Sequence, residues 1–430
     1  MKSGISIWAR QQFIHRSSSS LLFYSCPWKF SVSEIARKSS VVPKNFSSSA
    51  DSGPLPFKYV PIEEVERLEK YKPGGYHPIL IGDVLQSRYR VAHKLGYGAY
   101  STTWLCRDYQ SNSYVAVKVG TADSNNLEVD ILNYLNHFSS FEHSGKAIIP
   151  SIKDSFVLHG PNGIHPCYTA TARSLTVQFL LAVEYIHSKG VVHGDLHIGN
   201  MLLCLPSNFD KLSIEELYEN YGPPASEPVV RFDGQPLESG VPSSVVPPIW
   251  LGKSSEDFSP AESKVFLGDF GEACRPSTQS RHESHAPLSL MPPEAQFEPE
   301  HGLSFPADIW TLACSIWIIL GQRPLFEDIL ATTYDITAEQ VDVLGKLPLR
   351  WWDKWAARHE YFDESGKPNQ DRQVRSWEDR FEKHIQIPRQ QAGFPCFDRE
   401  EKAAVLDMLR SMLSFEPEKR PTAQEVLKCE

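Results

Sequence analysis

The chain has 430 residues, 41% of them hydrophobic, and its 53 acidic against 43 basic side chains give a formal charge of −10. That is enough for one large two-lobed domain or two ordinary ones, and no apolar run approaches the roughly 20 residues needed to span a bilayer. The eight cysteines (Cys26, Cys106, Cys167, Cys204, Cys274, Cys314, Cys396, Cys429) are scattered singly, without CxxC or HxxxH spacing. This speaks for a reducing compartment and against a disulfide framework or a structural metal site.

Residues 1–50 hold seven Lys/Arg and one acid, Glu34, which leaves 36 basic against 52 acidic residues and a charge of −16 on 51–430. An acidic body favours cationic partners and argues against nucleic acid. The N-terminus is rich in Ser and Arg and poor in acid, as mitochondrial transit peptides are. Its serine clusters at 17–20 and 47–49 fit a disordered basic tail equally well. The folded part is expected to begin near Tyr71, with a turn-rich lead-in over 72–83, KPGGYHPILIGD.

Three short β-type runs follow, 89–94 (YRVAHK), 103–108 and 114–119, each bounded by turn residues. Between the first two lies Gly96-Tyr-Gly98-Ala-Tyr-Ser101, a GxGxxG pattern with serine in the third place. It is either a phosphate-cradling hairpin or a tight turn, and since no helix follows it is not a dinucleotide fingerprint. Lys118 ends an apolar triplet on the third run (VAVK), where a buried ammonium needs a charged partner. Residues 127–135 have helical spacing, and Glu128 either faces Lys118 or sits in solvent. Residues 156–167 predict a hairpin turning at 160–163, and 172–189 a helix almost directly after it.

That helix leads into the octet 193–200, HGDLHIGN, with Asp195 and Asn200 five residues apart. Nucleotide phosphoryl transfer needs such a pair, a carboxylate for the acceptor's proton and an amide oxygen for a metal. Further on stand Gly268-Asp269-Phe270-Gly271, Met291-Pro-Pro-Glu294, an apolar helix opened by Asp308-Ile-Trp310, and Lys419-Arg420-Pro-Thr422. Residues 308–320, 337–347, 351–361 and 400–413 are predicted helical, with Trp351, Trp352 and Trp355 as core anchors and His282 and His285 exposed.

In this order the glycine loop, VAVK, helix glutamate, HGDLHIGN and DFG resemble the protein kinase superfamily over roughly 71–428. The stretches 74–77 (GGYH), 95–102 (LGYGAYST) and 269–274 (DFGEAC) resemble the serine/arginine-rich protein-specific kinases, above all the fungal type. The resemblance implies a two-lobed α+β fold, with a small β-rich N-lobe over 71–170 and a larger, mainly helical C-lobe over 171–430. The Pro-rich stretch between Asn200 and Asp269 reads as an insert at about 205–262.

The resemblance also implies roles. Asp195 would accept or orient the substrate's proton, Lys118 would hold ATP phosphates and be held by Glu128, and Asn200 and Asp269 would hold Mg2+. Leu95, Gly96, Gly98, Ser101, Ala116 and Leu202 would complete the ATP site. Glu294 and Arg420 would form the ion pair that small-molecule phosphotransferases lack, so they argue for a peptide substrate. The expected activity is phosphorylation of serines in Arg/Ser-rich proteins, with a place in splicing regulation, by a monomer that binds neither nucleic acid nor membrane. Cytoplasm and nucleus follow from the resemblance, mitochondria from the N-terminus.

Departures carry consequences. Gly194 replaces the arginine that clamps a phosphorylated activation loop, and 272–293 is short, so phosphorylation-switched activation is not expected. Thr103 stands where valine is expected over the adenine. His197 replaces a lysine, putting a group that titrates near neutrality in place of a permanent cation. The largest departure is a gap, because Tyr168 to Thr171 run almost straight into the next helix and the hinge and helix D are missing. A gene model or transcript lacking an exon would account for it, and so would a pseudokinase scaffold that has lost ATP; weak ATP binding is expected on either account. A small-molecule phosphotransferase is the remaining rival.

Overall fold

In the computed structural model the described residues are 58–125, 127–137, 143–171, 178–203, 208–251, 265–321, 323–327, 330–370 and 372–428. They form two lobes of the expected α+β kind, and no helix among them is long and apolar enough to cross a membrane.

The first lobe is an antiparallel sheet of β1 (Val84–Leu85), β2 (Tyr89–Tyr97), β3 (Ser101–Asp108), β4 (Ser113–Gly120), β5 (Ser151–Gly160) and β6 (Gly163–Thr171), in the order β1-β2-β3-β4-β6-β5. Period-two alternation sorts its side chains. On β4, Val115, Val117 and Val119 are buried among Trp104, Cys106 and Cys167, while Ala116 and Lys118 turn to the opposite face. Helix α1 (Leu127–His137) follows and buries Ile131, Leu132 and Leu135 in the core of the second lobe.

The second lobe is built around α5 (Phe305–Leu320), apolar on nearly all sides as a central helix should be. Trp310 and Trp317 on α5 are fully buried and stack with Phe326 and Phe415 or meet Trp377 edge-on. Around it lie α2 (Gln178–Ser188), the short α4 (Pro293–Phe297), α6 (Thr333–Leu344) and α7 (Arg399–Met412). Capping boxes at Thr332/Asp335 and Asp398/Glu401 start α6 and α7, each satisfying two end N–H groups. The helix expected over 351–361 is instead two single turns, Leu349–Trp352 and Arg358–Tyr361. The break lets Trp351, Trp352, Trp355 and Phe362 all reach the core, so the tryptophans are anchors. Of the helix expected over 172–189, residues 172–177 lie outside the described residues, and the link from β6 to α2 is six residues long.

Inserted in the second lobe's stretch of sequence is a segment that packs on the first lobe in space. Asn200 is followed by β7 (Met201–Leu203), and after residues 208–251 the chain returns as β8 (Val265–Leu267), antiparallel to β7. A capping box at Ser213/Glu216 starts α3 (Ile214–Tyr221), which buries Leu217, with Phe209, against Ala92, Leu105 and Tyr114 of the sheet. Leu105 pairs with Ala116 across β3 and β4, and directly opposed residues share a face. The insert therefore covers part of the face that carries Ala116 and Lys118. The Tyr218 hydroxyl donates to Ala92 O (2.8 Å), Tyr114 N to Asp210 Oδ1 (2.7 Å) and Ile249 N to Lys94 O (2.8 Å).

The folded body also reaches further toward the N-terminus than Tyr71. Tyr59 and Leu68 join Tyr71 and Tyr76 in a cluster closed by Val229, Val241 and Val245 of the insert, and Glu66 is buried against Lys94. The expectation that residues up to 70 stand outside the fold is corrected for 58–70. The valines that close their cluster lie more than 150 residues downstream, beyond the reach of local patterning; residues 1–57 lie outside the described residues.

Candidate active site

Lys118 is where three chain segments meet. Its Nζ lies 2.9 Å from Glu128 Oε2 in the first turn of α1 and 2.8 Å from Asp269 Oδ1 just after β8. Glu128 Oε1 also accepts from the Tyr168 hydroxyl (2.8 Å) and from Phe270 N (3.0 Å). Tyr168 stands opposite Lys118 in the β4–β6 register, so the sheet itself delivers this third partner. Burial works against the charged form of Lys118, yet Glu128, Tyr168 and Asp269 raise it well above the ordinary lysine range. Reciprocally, Lys118 holds the Asp269 carboxyl down to about 2, so both stay ionised at neutral pH. Asp269 adopts a left-handed backbone (φ 57°), a costly conformation for a side chain that is not glycine and one concentrated at functional sites.

The octet reaches the same place from the other side. Leu267 pairs with Met201 and Phe266 with Leu202, and Gly268 N donates to Asn200 O (2.8 Å). This two-strand ladder brings Asn200 and Asp269 side by side although 69 positions separate them. Asn200 Nδ2 donates to Asp195 O (2.9 Å) and Asp195 Oδ2 (3.2 Å), which leaves its amide oxygen for a hard cation. Asp195 Oδ1 is buried and has no hydrogen-bond partner among the described residues. His197 Nδ1 accepts from Gly199 N (3.0 Å), and its Nε2 lies 3.4 Å from Asp195 Oδ2.

The octet is held from beneath by α5. Asp308, 1% exposed, accepts from His193 N (2.7 Å) and Gly194 N (2.9 Å) and lies 2.9 Å from His187 Nε2. The Ser315 hydroxyl donates to Leu196 O (3.0 Å). His193 accepts from Asp195 N, so its Nε2 carries the proton that meets Gly268 O at 3.1 Å. Burial lowers its pKa below the usual histidine range despite Asp308 and Asp195, which keeps that tautomer neutral.

The glycine loop is a hairpin in which Gly98 N donates to Ser101 O (2.8 Å). A Cβ at Gly96 or Gly98 would meet no protein atom within 4 Å, so packing inside the protein does not demand glycine there; close approach of a ligand would. Leu95 and Ala116 are half-buried, Ser101 begins β3, and Leu202 is half-exposed against Gly268. Oxygen donors at Asn200 and Asp269, a cation at Lys118 and an open loop of backbone amides fit a divalent metal with a nucleotide triphosphate.

Gly194 has φ +79°, and a Cβ there would meet Glu272 O, so a side chain is excluded in this arrangement. The following segment is held by its own charges. Arg281 pairs with Glu272 and donates to Gly271 O (3.1 Å), and the exposed His285 lies 2.9 Å from Glu272. Arg420 grips Glu294 with two hydrogen bonds of 2.7 Å, buried beneath Trp310. No group of histidine, cysteine and acidic residues suited to a metal stands elsewhere among the described residues.

Sequence reading missed Tyr168, Asp308 and His187. The motif opened by Asp308 was visible, but its partners are backbone N–H groups, which leave no mark on the sequence.

The protein kinase domain family matches residues 258–430. A serine/threonine protein kinase of Aspergillus fumigatus is 27% identical over 404 residues, covering 86% of this chain and 90% of the relative. The serine/threonine-protein kinase SRPK of Physarum polycephalum is 26% identical over 400 residues, covering 85% and 90%. Human SRSF protein kinase 3 is 32% identical over 198 residues, covering 39% of this chain and 35% of the relative. With the two-lobed fold and the kinase motifs, these similarities support a serine/threonine protein kinase that resembles the SR-protein kinases.

Proposed function

We propose that this kinase transfers the γ-phosphate of ATP, with Mg2+, to serines in Arg/Ser-rich proteins, and that its role lies in splicing regulation. The observation that carries the reading is the meeting of Lys118, Glu128, Asp269, Asn200 and Asp195 from four distant stretches of chain. Lys118, fixed by Glu128, holds phosphate oxygens. Asp195 takes the proton from the serine hydroxyl as its Oγ attacks the γ-phosphorus and the bond to the ADP oxygen breaks. The free Oδ1 is the acceptor for that proton. Asn200 and Asp269 would hold a divalent cation, whose charge would offset that of the phosphates. Leu95, Gly96, Gly98, Ser101, Ala116 and Leu202 line the nucleotide. The rest is positioning and electrostatic stabilisation by a site rigid before the substrate arrives.

The buried Glu294–Arg420 pair favours a peptide over a metabolite, since it braces the segment on which a peptide would lie. The charge of −16 on 51–430 favours a polycationic peptide. The printed names of the Physarum and human relatives agree with that class.

The test is incubation of the full chain with Mg-ATP and an Arg-Ser repeat peptide, with Asp195→Asn as control. Labelled serine that disappears in the variant is expected. No labelling of any Arg-Ser peptide, with phosphorylation of a small metabolite instead, would overturn the substrate class. No phosphate transfer at all would favour a silent scaffold.

A further inference from the structure

The lead-in segment just upstream of β1 reaches over the glycine loop and holds its backbone. Tyr76, 3% exposed, donates its hydroxyl to Gly98 O at 2.6 Å, and Lys70 Nζ donates to Ala99 O at 2.9 Å. Burial, helped by Glu66, pushes the Tyr76 phenol up to about 12, so it remains a donor at any physiological pH. Lys70 also sits 5.9 Å from the rings of Tyr76 and Tyr100.

A trans peptide unit is planar, with its C=O and the following N–H on opposite sides. Drawing the carbonyls of Gly98 and Ala99 toward the lead-in therefore turns the N–H groups of Ala99 and Tyr100 the other way. Neither N–H has a protein acceptor among the described residues. Successive backbone amides aimed one way form a concavity that binds anions.

The lead-in is itself fastened. Ala122 N and Asp123 N donate to Gly75 O and Gly74 O (3.0 and 2.9 Å), and Gly74 N donates to Asn162 O (2.8 Å). Asn162, 2% exposed, donates from one amide nitrogen to Tyr76 O (2.7 Å) and to Gly240 O of the insert (2.8 Å). Gly75 leaves no room for a side chain, since a Cβ would overlap Lys70 O. The insert, the β5–β6 turn, the lead-in and the glycine loop thus form one hydrogen-bonded chain.

We propose that Tyr76 and Lys70 are positioning residues for phosphate binding: by holding the carbonyls of Gly98 and Ala99 they aim the Ala99 and Tyr100 amides at the nucleotide, and the insert fixes them through Asn162. The inference rests on the reading of this loop as the phosphate cover.

The test uses the full chain carrying Tyr76→Phe, which keeps the ring in its apolar cluster, and Tyr76→Phe with Lys70→Met. Steady-state kinetics with Mg-ATP and an Arg-Ser peptide should show KM for ATP rising about threefold to tenfold, as losing a hydrogen bond of ordinary strength implies. Peptide KM should stay at its wild-type value, and the melting temperature should fall by no more than a few degrees. Unchanged KM for ATP overturns the proposal, and so does a lowered melting temperature without a KM shift, which marks a merely structural contact. Amide exchange of the nucleotide-free protein separates this from failure of the functional reading. If wild type does not bind ATP, faster exchange at Gly98 in the variants supports the latch, and unchanged exchange there removes it.

Discussion

The two lobes differ in how far their residues must look for partners. The second lobe closes its core around α5 mostly with helices that follow one another along 293–428, joined by α1 and α2 from upstream, and capping boxes start α6 and α7. The first lobe takes its outer layers from 58–85 and 208–251, on either side of the sheet strands in sequence. Contiguous assembly produces a lobe whose parts announce themselves. Distant assembly produces one in which nucleotide-handling elements depend on segments without any motif. The proposed function draws on both, since Lys118 and Glu128 come from one side and Asp195, Asn200 and Asp269 from the other.

Breaking the shared centre should have the largest effect. Lys118→Met is expected to lower kcat/KM for peptide phosphorylation by about a thousandfold or more, as removal of a charge aligned with the transferring group does elsewhere. Thermal stability should fall as well, because Glu128 and Asp269 lose their shared cation, so activity is compared at a temperature where circular dichroism shows both proteins folded. A variant of near wild-type activity would mean that phosphates are held elsewhere.

Next comes the second lobe's own anchor. Arg420 is buried beneath Trp310 and paired twice with Glu294, so Glu294→Gln leaves a buried charge without its partner. A loss of about 3–5 kcal/mol in chemical denaturation is expected. Residual structure, if any, should be in the sheet lobe, which a near-native exchange pattern over β2–β4 would register.

The first lobe's dependence on the insert is tested by Leu217→Ala. Leu217 is fully buried against Ala92, Leu105 and Tyr114, so truncation should cost about 2–4 kcal/mol. Amide exchange should rise first in β2 and β3 and not in α5. Exchange rising first in α5 would contradict the assignment of the insert to the sheet lobe.

The smallest effect separates the lobes by pH. Burial lowers His384 to about 4, against a favourable Glu327 3.7 Å away, so it is neutral in the folded protein. The unfolded chain takes up that proton near pH 6.5, so the contribution is fully present above about 6.5 and lost as pH falls toward 4. The loss should approach roughly 3 kcal/mol, and His384→Asn should remove that slope between the two pH values. A slope unchanged by the substitution would assign it to other groups.

Much of the candidate site was legible because its residues sit in short contiguous motifs. HGDLHIGN, VAVK and DFG put Asp195, Asn200, Lys118 and Asp269 in view, and the choice left open at Glu128 resolves to the pair with Lys118. Side chains that act through backbone or across strands were not. Asp308 serves N–H groups 114 and 115 positions away, and Tyr168 reaches Glu128 only because β4 and β6 are neighbours. The burial of 58–70 and the docking of 208–251 were invisible for the same reason. The shortened connection is a matter of chain length, visible in sequence, since only six residues separate β6 from α2.

That link makes nucleotide affinity the most direct test of the account. Calorimetric titration of the full chain with Mg-ATP should give a dissociation constant tighter than about 1 mM, a binding free energy beyond roughly −4 kcal/mol. Binding weaker than that, with the fold intact by circular dichroism, would contradict the claim that this site holds ATP.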